Sequence, residues 1–263
     1  MKPVKTSGYF KSLYKRTNVI KETLLDLFFG IGSGPRLLLE VFIRRNFGER
    51  YFSFSTAIFL LVILAIVPAF SQYGFAIFSK VRMSYYQFNL FSFLFKNLTW
   101  YLFLGGFFYC CLERRKEVKS LPSVFDMKRY SKSTGIIHAE FRKLKFGGQL
   151  VETRTIETLI EPAFFFVIGF VLWVLDQNVG NLLMICSVIY SLSYKAAYHQ
   201  GDNFIMDQID EMICGEELSA VFVDNKKPEE ARGFSFYGHR PVNYQTRRRV
   251  AETFFEKEIV EVL

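Results

Sequence analysis

The sequence TLIEPAFFFVIGFVLWVLDQNVGNLLMICSVIYSLSYKAAY, residues 158–198, decides the fold of this chain. It contains two apolar runs, 158–175 and 181–198, which are separated only by the polar segment 176–180. The hydrocarbon core of a bilayer is about 30 Å thick, so a helix needs about 20 mostly apolar residues to cross it. Each run approaches that length, and the short segment between them contains the turn-forming residues Asp, Asn and Gly. The stretch therefore predicts a hairpin of two transmembrane helices.

Two earlier segments have the same character. Residues 52–70 contain no charged side chain, and residues 90–112 contain only Lys96. Phenylalanine is abundant, with 31 residues, and moving such a side chain out of water is favourable by roughly 1.5–3 kcal/mol. We therefore expect an all-α integral membrane protein with about four transmembrane helices, amphipathic N-terminal helices and a mainly helical cytoplasmic tail.

The distribution of Lys and Arg predicts the orientation. In chain order we expect a cytoplasmic or interfacial N-terminus at 1–51 and a first transmembrane pair at 52–112. A cytoplasmic loop at 113–157, a second transmembrane hairpin at 158–198 and a cytoplasmic tail at 199–263 are expected to follow. The three cytoplasmic regions hold 29 of the 33 Lys and Arg residues, whereas the two outer loops hold only Lys80 and Arg82. Because loops rich in positive charge stay in the cytoplasm, both termini are expected there, in a bacterial inner membrane.

The N-terminal region contains two apolar segments. Residues 20–31 have apolar side chains at helical spacing, and residues 37–43 form a second apolar stretch that ends in Arg44 and Arg45. The sequence GIGSGP at 30–35 predicts a helix break between them. A basic, amphipathic pair of this kind suits the membrane surface. The alternative is that both pieces pack on the cytoplasmic loop.

The cytoplasmic regions have a mixed pattern. Residues 118–130 are expected to be irregular, and residues 136–151, which include a Gly-Gly pair, favour a hairpin. After the last span, an imperfect apolar stripe at 205–218 indicates that the helix continues, although two glycines weaken that prediction. Residues 232–241 have the composition of a loop, and residues 245–262 are expected to form a final helix.

Catalytic, cofactor-binding and metal-binding motifs are missing from the sequence. The three histidines are isolated, the four cysteines do not have zinc-ligand spacing, and no Gly-x-Ser-x-Gly elbow occurs. The glycines at 30–34 lack the Lys and Ser or Thr of a phosphate-binding loop. We therefore expect no enzymatic activity and no cofactor.

Charged residues near the spans have two interpretations each. Lys96 is the intramembrane charge of the second span, and it either extends to the outer surface or lines a pathway. Glu157 and Glu161 are four residues apart, so they share one helix face beside the basic loop. We expect these two carboxylates to be solvated or paired at the interface.

The tail carries two blocks of opposite charge, which are the candidate partner-binding site. Residues 202–230 hold nine acidic and two basic side chains, and residues 231–249 hold five arginines and no acid. The candidate residues are Asp207, Asp210, Glu211, Glu216, Glu217, Arg240, Arg247, Arg248 and Arg249. Aromatic residues between the arginines could also stack on bases, but contact with protein or membrane lipid is preferred over nucleic acid.

These features favour a structural role. The chain is expected to be a non-enzymatic membrane subunit that anchors or scaffolds a larger membrane-embedded assembly, such as a secretion or conjugation machine. Its partners would be membrane lipid and other protein subunits or further copies of itself. The alternative is a small transporter or channel subunit, which requires ionisable residues along a central pathway. A lipid-modifying enzyme would need His or Asp clusters at the membrane face, and the sequence has none.

Overall fold

The computed structural model describes residues 9–10, 19–78, 90–122 and 124–254, and this part of the chain is mostly helical, as predicted. The helices in chain order are α1 (Val19–Ile43), α2 (Phe54–Phe78), α3 (Leu90–Lys96), α4 (Leu98–Ser120), α5 (Ala139–Arg142), α6 (Thr153–Val174), α7 (Asn178–Val223) and α8 (Tyr244–Thr253). A 3₁₀ turn covers Pro228–Glu230, and the strands β1 (Lys145–Phe146) and β2 (Gln149–Leu150) form a small antiparallel sheet. The expected hairpin at 136–151 is therefore confirmed.

The chain divides into two compact units. The bundle unit comprises Leu24–Ala196, and the terminal unit comprises Met1–Thr23 together with Ala197–Leu263. Their boundary falls within α7, which continues without a break beyond the predicted span, as the apolar stripe at 205–218 indicated. The glycines that weakened that prediction, Gly201 and Gly215, do not interrupt it.

Two described helices, α6 and α7, are long and apolar enough to cross a membrane, and Phe54–Phe70 within α2 is a shorter apolar helix. The second predicted span is divided between α3 and α4, because the helix is interrupted at Asn97. The outward faces of α2 and α6 expose large apolar side chains, including Phe59, Phe70, Val167 and Val171. Such surfaces are typical of contact with lipid or with another protein.

Helices of the bundle unit approach one another closely. In the α6–α7 hairpin, a Cβ atom added to Gly180 would lie 2.5 Å from the carbonyl oxygen of Gly169. Only glycine therefore allows these two backbones to meet. Elsewhere, the Trp100 indole nitrogen on α4 donates to the Leu64 carbonyl on α2 over 2.9 Å, which ties the first two predicted spans together.

The expected helix break at 30–35 is wrong, because α1 continues through this segment with Pro35 inside it. The glycines provide close packing here instead of a turn. A Cβ atom on Gly32 would lie 3.5 Å from Ile189, and one on Gly34 would lie 3.3 Å from Leu60. Tertiary contacts thus override the local preference of this segment. Several side chains of the amphipathic pattern at 20–31 lie outside the described residues.

The segment after α1 pairs with residues 131–136, in the region that was predicted to be a cytoplasmic loop. Arg45 and Ile136 form an antiparallel bridge, and the Gly48 amide donates to the Ser133 carbonyl over 2.9 Å. A Cβ atom on Gly48 would lie only 2.3 Å from the Ser131 carbonyl oxygen, so a side chain at this position would separate the two segments. These contacts favour packing on the loop over a position on the open membrane surface for the end of α1.

The terminal unit has a small core of its own. Phe222 and Val223 at the end of α7 pack with Ala251 of α8, and Phe236 from the intervening loop contacts them. The loop predicted at 232–241 is confirmed. The final helix ends at Thr253 in the described part of the chain, and the remainder of its predicted range, 255–262, lies outside that part.

Candidate functional site

Two charged residues of α1, and Arg44 directly after its last residue, face the interior of the bundle unit. Arg36, Glu40 and Arg44 are spaced by four residues, which places them on one side of a helix. Arg36 is 8% exposed, and Glu40 and Arg44 are completely buried. Charged side chains are seldom buried this deeply unless they are paired, so their surroundings determine what this site can do.

Arg44 is held by carboxylates from α6. Its Nε donates to both carboxylate oxygens of Glu161, at 3.3 and 3.2 Å, and its Nη2 makes a further, very short contact with Glu161. Its Nη1 lies 3.1 Å from Glu157 and donates to the Tyr194 hydroxyl over 2.6 Å. The expectation that Glu157 and Glu161 are paired agrees with these contacts, but Glu161 is completely buried and not at a solvated interface.

Glu40 is the centre of the other half of the site. The Nε and Nη2 of Arg36 both donate to its Oε1 over 3.3 Å, and the Tyr194 hydroxyl donates to the same oxygen over 2.8 Å. The Tyr51 hydroxyl donates to the second carboxylate oxygen and accepts from Arg36 over 2.9 Å. Arg36 also donates to the Ser193 hydroxyl over 3.0 Å. Every oxygen of Glu40 therefore has a donor.

Two tyrosines of α7 connect the halves. Tyr194 accepts from Arg44 and donates to Glu40, and its ring centroid lies 4.1 Å from the Arg36 guanidinium carbon. Tyr190 donates to Glu161 over 2.5 Å. We call the whole set the charge network, and it consists of Arg36, Glu40, Arg44, Tyr51, Glu157, Glu161, Tyr190 and Tyr194.

A π-helical turn at Ile156–Ile160 precedes Glu161 in α6. Turns of this kind inside α-helices often occur at functional sites. Here the turn contains Glu157 and directly precedes Glu161, the two carboxylates that reach Arg44, so it takes part in setting their positions.

The electrostatics of the charge network are closely balanced. It holds two arginines and three glutamates, and among the described residues none of its buried side-chain atoms lacks a hydrogen-bond partner. Burial disfavours charge on Arg36, but the adjacent Glu40 carboxylate and the surrounding tyrosine hydroxyls together outweigh this and raise the pKa of Arg36. Burial, followed by the negative charge of Glu40, raises the pKa of the Tyr51 hydroxyl well above its usual range. Each arginine of the network is therefore in contact with at least one carboxylate.

The described residues contain no group of His, Cys, Asp and Glu that could hold a metal ion. The network also contains no serine or cysteine beside a base, as nucleophilic catalysis requires. Chemically, the arrangement is suited to holding helices in one register.

Lys96, the predicted intramembrane charge, does not join this network. It is the last residue of α3 and its side chain is exposed. That position fits a side chain that extends toward the surface. Lys80 and Arg82, the two positive residues of the predicted first outer loop, lie outside the described residues.

The acidic candidates of the tail differ in their surroundings. Glu217 receives hydrogen bonds from Lys226 over 2.7 Å and from Arg232, and these bonds lower its pKa. Glu216 also pairs with Arg232, at 2.6 Å. These two acids are thus neutralised within the chain. Three others, Asp207, Asp210 and Glu211, have no ion pair within the described residues.

Asp207 and Asp210 line an open cavity of about 300 Å³, together with Cys214 and Tyr237. Both aspartates are exposed. Glu211 is half-buried, and one of its carboxylate oxygens has no hydrogen-bond partner among the described residues. Of the five acidic candidates, Asp207, Asp210 and Glu211 are therefore the ones that remain open to a partner.

The arginine candidates mostly contact their own neighbourhood. Arg240 donates to the Asn225 side chain over 2.9 Å, and Arg247 donates to the Val223 carbonyl at the end of α7 over 3.0 Å. Arg248 lies 3.9 Å from Glu252 on α8, and Arg249 is exposed. The structure does not bring them together with Asp207 or Asp210.

Comparisons of the chain with protein-family models, curated proteins and solved structures find no match. The geometry of the two units is thus the basis for a functional proposal.

The sequence interpretation did not recognise the charge network as a site. The signal was present in the spacing Arg36-x-x-x-Glu40-x-x-x-Arg44 within an otherwise apolar stretch. Oppositely charged residues four apart stabilise one another on a helix, but on a surface helix the same spacing is common. Its partners on α6 and α7 lie more than one hundred residues away, so their identity depends on the tertiary fold.

Proposed function

We propose that this chain is an integral membrane protein with four spans and cytoplasmic termini, and that it serves as a non-enzymatic structural subunit. It would anchor or scaffold a larger membrane-embedded assembly, such as a secretion or conjugation machine. The observation that carries the proposal is the charge network, which fixes α1, α6 and α7 in one arrangement. A rigid bundle with exposed apolar faces is suited to presenting surfaces to other subunits.

The distribution of polar contacts in the bundle unit supports the four-span arrangement. Thr99, in the first turn of α4 and within the proposed second span, donates to Gln177 in the turn between α6 and α7 over 2.7 Å. Glu161 lies near the other end of α6. The 22 residues of α6 correspond to roughly 33 Å at about 1.5 Å per residue, which matches the thickness of the hydrocarbon core.

Reporter fusions test the topology. Fusions after Lys80 and Gln177 are expected to report the outer side, and fusions after Lys132 and Leu263 the cytoplasm. The physical reason is the excess of Lys and Arg in the proposed cytoplasmic regions. An outer signal from the Lys132 fusion would contradict the four-span arrangement.

The scaffold role requires partner subunits. Because Glu216 and Glu217 are paired within the chain, the sharpest variant is D207N/D210N, which removes two exposed charges of α7. Weaker co-purification of partner subunits in mild detergent is expected, with the largest loss at low salt, since surface charges mainly steer encounter. E229Q/E230Q is the matched control, because it removes two exposed acids from the same block.

Equal assembly of wild type and D207N/D210N at low salt would exclude this surface as a partner site. Purification of the wild-type protein alone, combined with ion flux in liposomes, would contradict the scaffold role itself.

One observation favours the second candidate, a small transporter or channel subunit. Glu161 is a completely buried carboxylate within the proposed third span, and ionisable residues inside membranes frequently mark transport pathways. The flux assay distinguishes the two roles. A transporter would show flux that E161Q abolishes, whereas a structural subunit would show no flux in either form and a lower melting temperature for E161Q.

A further inference from the structure

A second cavity lies beside α1 and the start of α2, in the bundle unit. Its volume is about 460 Å³, and its polar wall is formed by basic and hydroxyl side chains: Arg36, Arg50, Lys132, Ser33, Ser53 and Thr56. Phe29 and Leu37 provide an apolar wall. None of the described lining residues is acidic. A cavity with this composition is suited to an anion that is joined to an apolar group.

Two of the three cations in this cavity are available to a ligand. Arg50 and Lys132 are exposed, and within the described residues neither forms an ion pair. They come together because the Arg50 amide donates to the Ser131 carbonyl over 2.9 Å. Arg36 differs from them, because Glu40 already neutralises it. The net positive charge of the cavity therefore comes from Arg50 and Lys132.

The start of α2 adds further donors to the same cavity. Ser53 precedes the first turn of this helix, and its hydroxyl accepts from the Thr56 amide over 3.3 Å. The preceding amides of the turn, those of Phe54 and Ser55, have no partner within the helix. The positive end of a helix dipole favours an anion at this place. Because two cations, a lined cavity and the helix start coincide, the site does not depend on the helix start alone.

The cavity lies at the proposed inner end of the first span. The cytoplasmic leaflet contains anionic phospholipids, and basic pockets beside transmembrane helices are suited to their headgroups. We propose that this cavity binds the phosphate of an anionic phospholipid of that leaflet, with Arg50 and Lys132 contacting the headgroup and the apolar wall contacting the acyl chains. The proposal rests on the four-span arrangement, but it does not require the scaffold role.

Native mass spectrometry of the full chain in detergent, with added phosphatidylglycerol, tests the proposal. Each basic side chain near an anionic membrane surface contributes about 1 kcal/mol, so R50Q/K132Q is expected to weaken retention of this lipid by about thirtyfold. K119Q/K128Q is the matched control, because both lysines are exposed and lack an ion pair within the described residues. Both also belong to the same proposed cytoplasmic loop as Lys132. The control is expected to retain the lipid as the wild type does.

Further measurements identify the ligand class. Phosphatidylcholine, which has no net charge, is expected to bind much more weakly, and inorganic phosphate at equal concentration is expected to leave the bound lipid in place. Equal losses in R50Q/K132Q and K119Q/K128Q would overturn the proposal, because they would indicate attraction by general surface charge. Displacement by inorganic phosphate would also overturn it, in favour of a soluble phosphate ligand.

The thermal melting temperature of R50Q/K132Q verifies that the variant is folded, and no change is expected because neither side chain has an ion pair. Lipid binding is measured on purified protein without partners, so its outcome is independent of the co-purification experiment. An error in the four-span arrangement would be detected separately by the reporter fusions.

Discussion

Replacing Arg44 by methionine would remove the cation on which the charge network depends. Methionine has a similar length and an apolar end, so the change removes the charge and hydrogen bonds with little change in volume. Glu161 would lose its guanidinium partner while remaining completely buried, and Tyr194 would lose the donor to its hydroxyl. Removing one partner of a buried ion pair costs about 3–5 kcal/mol, because the other charge is left uncompensated. R44M is expected to lower the free energy of unfolding by this amount.

The variant E161M tests the same interaction from the other side. Its effect should be smaller, about 1.5–3 kcal/mol, because Arg44 would keep Glu157 at 3.1 Å and the Tyr194 hydroxyl. The double variant R44M/E161M removes both charges, so neither is left buried without its partner. Residues in direct contact show coupling energies of about 0.5–3 kcal/mol, so the double variant is expected to cost less than the sum of the single variants.

The assay is equilibrium unfolding of purified protein in mixed micelles, followed by tryptophan fluorescence. Both tryptophans of the chain, Trp100 and Trp173, belong to the bundle unit and report its unfolding. R45M is the control, because Arg45 is adjacent but exposed, and its replacement should change stability by no more than about 0.5 kcal/mol. Additive single and double effects, or equal stabilities of R44M and R45M, would refute the proposed role of the network.

Two further predictions concern packing and pH. G180V should destabilise the hairpin by more than about 2 kcal/mol, because even a Cβ atom there would lie 2.5 Å from the Gly169 carbonyl oxygen. Its control is G201V in the same helix, where a side chain has open space and should cost about 1 kcal/mol at most. The unfolding midpoints of both variants measure the difference. Because burial and the charge of Glu40 raise the pKa of Tyr51, its contribution to stability is complete below about pH 10 and is lost as pH rises above that value. Y51F should therefore reduce the loss of stability between pH 9 and 11, and an unchanged pH dependence would contradict the assignment.

The helical regions could be predicted because their signals are local. The four apolar runs in the sequence correspond to α2, to α3 with α4, to α6 and to α7, and the continuation of α7 agrees with the apolar stripe at 205–218. A single charge or proline does not remove such a signal when 18 or more residues share it. The small hairpin at 145–150 could also be predicted, because Gly147 and Gly148 adopt the positive φ angles that its turn requires.

The use of glycine in α1 could not be predicted from local sequence. Gly32 and Gly34 have the composition of a turn, but they lie where Ile189 and Leu60 approach the helix. The same residue type allows a sharp turn and a close helix contact, and only the partner helix distinguishes these two uses. The partners are more than 25 residues away for Gly34 and more than 150 for Gly32.

The tail charges were predicted as two blocks, whereas in the structure individual charged side chains of one block differ in their contacts. The acidic block 202–230 and the arginines of 231–249 were together predicted to be the partner-binding site. Of these arginines, Arg232 contacts Glu216 and Glu217, while Arg247 contacts a backbone carbonyl. The balance of charge over a segment does not determine the pairing of individual side chains, because an arginine at a helix C-terminus gains as much from carbonyl groups as from a distant acid.

The charge network is costly to build, and this cost bears on the choice between a structural and a transport role. Each buried ion loses several kcal/mol of hydration, which is recovered only when all of its hydrogen bonds form together. Arg36, Glu40, Arg44 and Glu161 reach that condition only when α1, α6 and α7 are all in place. A transport residue must change partners during its cycle, and each change would leave one of these charges uncompensated. A subunit that holds other proteins instead benefits when its charged side chains keep the same partners, because the bundle then presents one fixed surface. Arg44 and Tyr190 both donate hydrogen bonds to the Glu161 carboxylate, and these contacts therefore favour the structural role over the transport role.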